Sequence, residues 1–268
     1  MTTFETPGPL ELDLNVPAGK IELDAADVAT TEVELEPLHD SEGSREAVER
    51  TKVNLRPRGE GHELVVEVPS ERGFGIRFGR TPSVLVRVRC PEGAKVSVRT
   101  RSADVEAHGR FGAAQVRDIS GDVAWETVDG DAIFHSTSGD MRVDAVTGTL
   151  SVKTVSGDVE IGAVGGRLSA EGVSGDIRVA SVEGSVTTKT VSGDQRLGVA
   201  EGKVALVSVS GDLEARVRRG SRVFVDANAV SGDVSSELEL SAEKADGEGP
   251  VVEIRARSVS GDVRIARA

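Results

Sequence analysis

The chain has 268 residues, 38% of them apolar and 29% charged, with a formal net charge of −13. That is enough apolar material for one large or two smaller all-β domains, and too much for a disordered chain. The acidity excludes sequence-independent binding to nucleic acid, which depends on Lys and Arg neutralising phosphates.

The apolar set is mostly Val, Leu, Ala and Ile, with six Phe, one Trp and no Tyr, which suits narrow cores packed by branched aliphatic side chains. A single cysteine, Cys90, leaves no internal disulfide and fits a reducing compartment. The opening residues carry neither a basic region nor an apolar one behind it, and no stretch approaches the roughly 18 apolar residues of a spanning helix. The expectation is a cytoplasmic protein with no direct membrane insertion.

In chain order, residues 1–98 hold strand-like runs at Leu10–Val16, Lys20–Leu23, Thr31–Leu35, Lys52–Leu55, Glu63–Val68 and Ser83–Arg89. Turn signals such as Pro17-Ala18-Gly19 and Arg58–Gly61 separate them. The polar stretch between Leu38 and Arg50 reads as loop or short helix. Arg72–Arg80 holds two of the six Phe and three Arg. It reads as a glycine-rich hairpin whose Phe74 and Phe78 pack into the core, or as a partner-binding loop. Its Gly73 and Gly75 make no dinucleotide fingerprint, since no helix pattern comes after them. Cys90, beside Pro91 in an apolar run, reads as a small core residue. The whole segment is expected to be β-rich and to cap the repetitive remainder of the chain.

Residues 99–268 are repetitive. Ser-Gly-Asp begins at Ser120, Ser138, Ser156, Ser174, Ser192 and Ser210, each 18 residues after the last. Ser102-Ala103-Asp104 lies one period earlier, and Ser231 and Ser260 begin two more copies at spacings of 21 and 29. Within a period such as Val155–Gly172, apolar residues fall at Val155, Val159, Ile161, Val164, Leu168 and Ala170, so each period divides into two halves of nine. Each half is one short strand and one turn. A second glycine column runs through Gly130, Gly148, Gly166, Gly184, Gly202 and Gly220. Two corners per period are therefore pinned, and identical turns must lie above one another.

The apolar spacing does not follow the helical 3.6, and a propeller blade needs about twice this period. The expected fold is all-β, a parallel β-solenoid, or single-stranded β-helix, with 18-residue coils. A lone coil buries too little to fold, so stability must come from neighbour interfaces. Residues added near 219–221 and 242–250 read as protruding loops. No long cap comes after Asp262, so the coil that begins at Ser260 is expected to be last in the stack, uncovered and with exposed strand edges.

The Asp column, Asp104, Asp122, Asp140, Asp158, Asp176, Asp194, Asp212, Asp233 and Asp262, recurs once per coil. It reads as a set of turn acceptors for backbone N–H groups. Calcium bridging stacked carboxylates is the lesser alternative, because the glycine pattern of calcium-binding nonapeptide solenoids is incomplete here. A catalytic serine is singular and needs a positioned base, whereas His39, His62, His108 and His135 share no spacing. No His/Cys cluster has metal-ligand spacing. No residue is expected to be catalytic, cofactor-binding or metal-binding, and no enzyme activity is expected.

The repeated Val-Ser-Gly-Asp-Val, as at Val155–Val159, preceded by Pro17–Ile21 and Cys90–Val96, resembles the bacterial DUF4097 family of β-strand-repeat proteins. That family carries the label of candidate adhesins, and related domains are called toastrack. The resemblance implies a solenoid fold, an interaction or scaffold role, at times linked with envelope-stress proteins, and no catalytic residues. The absence of an export signal departs from a cell-surface role. The functional expectation is a non-enzymatic scaffold that binds a protein partner or self-assembles through solenoid faces or ends. A carbohydrate-binding or carbohydrate-active β-helix is the alternative, because parallel β-helices can host polysaccharide clefts; the outward positions show no cluster of carboxylates or aromatics on one face, although Trp125, Phe134 and His135 fall close together.

Overall fold

The computed structural model describes residues 1–69, 82–199, 201–238 and 249–268, so the Arg72–Arg80 patch lies outside the described residues. The chain divides into two compact units, Met1–Gly130 with Phe134–Gly139, and Asp131–Ile133 with Asp140–Ala268. Unit 2 is a parallel β-solenoid, as the period requires, and unit 1 combines parallel coils with antiparallel strands from the segment that lacks the period.

Unit 1 begins with β1 (Thr2–Glu5) and β2 (Leu10–Ala26), in which alternate residues Leu10, Leu12, Leu14 and Val16, then Ile21, Leu23 and Ala25, are buried. The alternation changes phase at Gly19, whose φ is +128° and where a Cβ would sit 2.0 Å from the carbonyl oxygen of Val84. Only glycine fits that corner. Next along the chain are β3 (Thr30–Pro37), α1 (Glu42–Arg50), β4 (Lys52–Arg58), β5 (Gly61–Glu67) and β6 (Val84–Pro91). The polar stretch after Leu38 is thus helical, with Ser41 as N-cap accepting from the Ser44 N–H at 3.2 Å.

β5 lies parallel to the first half of β2 (Leu12↔Leu64) and β6 to the second half (Ile21↔Val86). On the other edge β7 (Lys95–Phe111) runs parallel to both halves, Leu12↔Val96 and Ile21↔Val105. β8 (Ala113–Arg117) and β9 (Val123–Val128) continue the stack from β7. β4 on β5, β3 on β6 and β1 on β3 are antiparallel and close the far side. The register sets Ala18-Gly19-Lys20 against Ser102-Ala103-Asp104. Leu10–Ala26, two runs by its sequence pattern, is therefore one coil with its own corner.

β10 (Ala132–His135) leads to unit 2, which contains β11 (Met141–Val146), β12 (Leu150–Lys153), β13 (Val159–Val164), β14 (Leu168–Ser174), β15 (Ile177–Val182), β16 (Val186–Ser192), β17 (Gln195–Val199), β18 (Gly202–Ser210) and β19 (Leu213–Val217). β20 (Arg222–Ser231), β21 (Val234–Ser236), β22 (Val251–Ser260) and β23 (Val263–Arg267) complete the chain. One parallel sheet stacks β11, β13, β15, β17 and β19, with Val159↔Ile177↔Gln195↔Leu213 in register. The other stacks β12, β14, β16 and β18, with Leu168↔Val186↔Val204 in register. The column of inward aliphatic side chains between the sheets is the core.

The expected uncovered C-terminal coil is not found. β22 pairs with β18 and β23 with β19, while β20 and β21 pair with the opposite edges of β22 and β23. The coil that begins the final Ser-Gly-Asp is interior, and the coil before it in sequence covers it. Every coil carries the same in-register template, so nothing local ties stacking order to chain order.

Candidate functional site

The repeat's corner sets the surface. In unit 2 the glycines of Ser-Gly-Asp have positive φ, such as +115° at Gly175 and +128° at Gly193. A Cβ on Gly193 would lie 2.1 Å from the carbonyl oxygen of Gly175, one coil away. The Asp after each glycine then faces along the stack. The Asp176 N–H donates to Asp158 Oδ1 at 2.8 Å, Asp194 to Asp176 at 2.9 Å, and Asp212 to Asp194 at 3.0 Å. Asp122 donates to Asp104 in the same way, at 3.1 Å, in unit 1. Each carboxylate so satisfies the turn of the next coil, the acceptor role expected of the column. Arg178 and Arg196 bridge to Asp176 and Asp194 and offset their charge. Among the described residues no three His, Cys, Asp or Glu side chains form a group able to hold a metal ion.

Two residues before each corner glycine the side chain is exposed. Val155, Val173, Val191, Val209 and Val259 are 44–50% exposed and Val230 is 78% exposed. Their flanking residues stack in register, Ser174↔Ser192↔Ser210↔Ser260↔Ser231, which puts these valines in one stripe along unit 2. The residues before Val155, Val191, Val209 and Val259 point inward, and these four, Thr154, Thr190, Ser208 and Ser258, are buried; Gly172 and Ala229 precede the other two. Strand alternation thus forces the valine out wherever the hydroxyl goes in. Beside the stripe, Lys153 and Lys189 flank Glu171, at 3.0 and 4.0 Å. Those lysines hold the Glu171 carboxyl below its ordinary range, mainly through the Lys153 hydrogen bond. An apolar stripe edged by charge is the arrangement of a protein-docking surface.

Two grooves are lined by charge instead. One in unit 2, of about 590 Å³, has a floor of Gly162, Ala180 and Gly198 beside Arg142, Arg178 and Arg196. Its arginines are already engaged, Arg142 with Asp144 at 3.1 Å and Arg196 with Asp194 at 3.1 Å. The other, in unit 1, is about 420 Å³ and includes Glu22, Arg87 and Glu106. There Lys20 bridges Glu106 at 2.8 Å and Glu22 at 3.0 Å, and Arg87 bridges Glu22 at 2.8 Å. These hydrogen bonds raise the Lys20 pKa, Glu106 contributing most, and lower that of Glu22.

Residues singled out from sequence are mostly interior. Trp125 and Phe134 are 2% and 0% exposed, and Trp125 packs edge-on to Phe111, with ring centroids 5.0 Å apart. The aromatic cluster is core and offers no stacking platform. Cys90 is buried, and burial pushes its thiol up to about 12, which removes the thiolate as a nucleophile. His108 stands 4.0 Å from Glu126 on the surface.

Asp118 and Gln195 are not marked by the sequence pattern. Asp118 stands where most other coils have Thr or Ser, and that mismatch is its one signal. Its Oδ2 accepts from the Gly121 N–H at 2.7 Å and the Ser136 hydroxyl at 3.1 Å, while Oδ1 is buried without a partner. Burial, above all, raises its pKa. Gln195 replaces an inward aliphatic residue and is held by Thr188, by Thr190 Oγ1 at 2.6 Å and by the Val207 carbonyl at 2.9 Å.

Residues 11–266, nearly the whole chain, match the sequence profile of the family described as Toastrack DUF4097. The chain belongs to that family. No curated protein matches it in sequence. Among solved structures, this Toastrack chain is similar to a candidate adhesin from Bacteroides fragilis at 12% identity, with a TM-score of 0.50 and 98% of this chain and 95% of that one covered. It is also similar to a candidate adhesin from Parabacteroides distasonis at 11% identity, with a TM-score of 0.39 and the same coverage of each chain. At 12% identity the likeness to the Bacteroides fragilis structure concerns the fold alone. Among the described residues, no helix of this Toastrack chain is long and apolar enough to cross a membrane.

Proposed function

We propose that the chain is a non-enzymatic interaction scaffold that docks a protein partner along the valine stripe of unit 2. One observation carries this reading: the exposed column Val155, Val173, Val191, Val209, Val259 and Val230. A soluble protein seldom stacks so many exposed aliphatic side chains without a use for them. The solved structures of similar fold, described as candidate adhesins, agree in kind with an interaction role. Of the residues that pointed to the carbohydrate alternative, Trp125 and Phe134 are buried and present no face on which a sugar could stack.

A photo-crosslinking residue at Val191, introduced into the full chain in its own cells, tests the proposal. The expected result is a discrete adduct with a second polypeptide. The adduct should vanish in a Val173→Lys/Val209→Glu variant, which keeps the net charge and should keep the native melting transition. An adduct that persists in that folded variant, or no adduct at all, overturns the stripe as the docking surface.

A further inference from the structure

The coil formed by β22 and β23 fills a slot. One wall is β18 with β19, through Val204↔Ile254 and Leu213↔Val263; the other is β20 with β21, through Val225↔Ile254 and Val234↔Val263. The inserted side chains Val252, Ile254, Ala256, Val263 and Ile265 are at most 1% exposed. The Asp ladder passes through the insert in spatial order, with the Asp262 N–H donating to Asp212 at 2.9 Å and the Asp233 N–H to Asp262 at 2.8 Å.

Three features make this insert replaceable. Its backbone contacts are parallel ladders, which any copy of the same segment reproduces bond for bond. Both walls belong to earlier chain, so their sequence does not depend on which copy supplies the insert. Among the described strands, β20 and β21 pair only with β22 and β23, and their inward Val225 and Val234 are 39% and 50% exposed. That outer wall is therefore the loosest part of the stack, and its departure opens the slot.

We propose that the slot between β18–β19 and β20–β21 is an exchange site whose occupant is residues 251–267 of a second copy of this chain, giving a coil-swapped dimer. The occupant is fixed by identity: the slot is complementary to this segment because this segment fills it. Exchange replaces each contact of the inserted strands with the same contact from the other copy. The inference stands apart from the valine stripe and survives its failure.

Ser210 and Ser260 are exposed and directly paired in the ladder, at a spacing of about 4.8 Å that a disulfide can span. Full-length Ser210→Cys and Ser260→Cys chains are mixed, held in urea below the unfolding midpoint, returned to buffer and oxidised. A Ser210→Cys/Ser260→Cys chain closing its disulfide internally reports that the geometry is right. The expected result is a disulfide-linked dimer in the mixture, about tenfold above the level for either variant alone. A double variant that closes internally beside a mixture that forms no linked dimer overturns exchange. A double variant that cannot close overturns the inserted coil itself.

Discussion

The backbone N–H of Asp262 donates to the carboxylate of Asp212, fifty residues earlier in the chain, at 2.9 Å. Both residues belong to one column in which each Asp serves its neighbour's turn, so the column is structural along its length. Replacing Asp194 by Ala removes the acceptor of the Asp212 N–H and one partner of Arg196. The corner is open to water, so the loss is expected to be about 1 kcal/mol, with Asp194→Asn costing less. Urea unfolding of the two variants checks both values; no loss in Asp194→Ala removes the role given to the column.

Gly193→Ala should be far more damaging. It forces a side chain into φ +128° and sets its Cβ 2.1 Å from a carbonyl that a rigid neighbouring coil cannot move. The expected cost is about 3 kcal/mol or more. The melting transition of the variant should fall well below that of Asp194→Ala, and a fall no greater would contradict the packing described for the corner.

Asp118 gives a pH dependence of definite sign. Its pKa is raised in the folded state, so the native chain binds more protons than the unfolded chain over the range just above the ordinary Asp value of 3.8. Stability therefore falls as pH rises through that range, because deprotonation leaves a buried charge. Asp118→Ser, the residue found at the equivalent Ser136 and Ser208, removes the titration. Melting temperatures at pH 4 and pH 7 should show the wild type losing ground to the variant on going up; a constant gap removes the account.

The Gln195 cluster tests coupling. Gln195→Leu alone strands the Thr188 hydroxyl in the core, at an expected cost of about 1–2 kcal/mol. A leucine at position 195 would continue the aliphatic column of Ile177 and Leu213, and Thr188→Val added to it removes the stranded hydroxyl between Ala170 and Leu206 and should recover part of that loss. A double-mutant cycle in denaturant reads the coupling directly, and simple additivity would deny the network.

Cys90 should resist alkylation in the native protein at about pH 8, where burial keeps its thiol protonated and out of reach, and react freely in denaturant at the same pH. Mass spectrometry after iodoacetamide treatment distinguishes the two.

The corner was legible in sequence for a physical reason. In parallel in-register stacking each contact recurs at one spacing, so Gly175 above Gly157 and Asp176 above Asp158 write themselves as an 18-residue period. Buried exceptions such as Asp118 and Gln195 were harder to see, because a polar residue in a core column is recognisable only once the column is known. The sequence by itself determined the coil, its two strands and its glycine corners, but it grouped Val155 with the inward aliphatic residues, and only the structure turned that valine outward. Only the tertiary structure decided which coil sits on which. It drew Leu10–Ala26 into the stack through Ala18-Gly19-Lys20, and seated β22–β23 between β18–β19 and β20–β21. Coils that share one template fit one another equally well, so their order depends on chain connections and on the sum of packing across two interfaces, neither of which has a period to read.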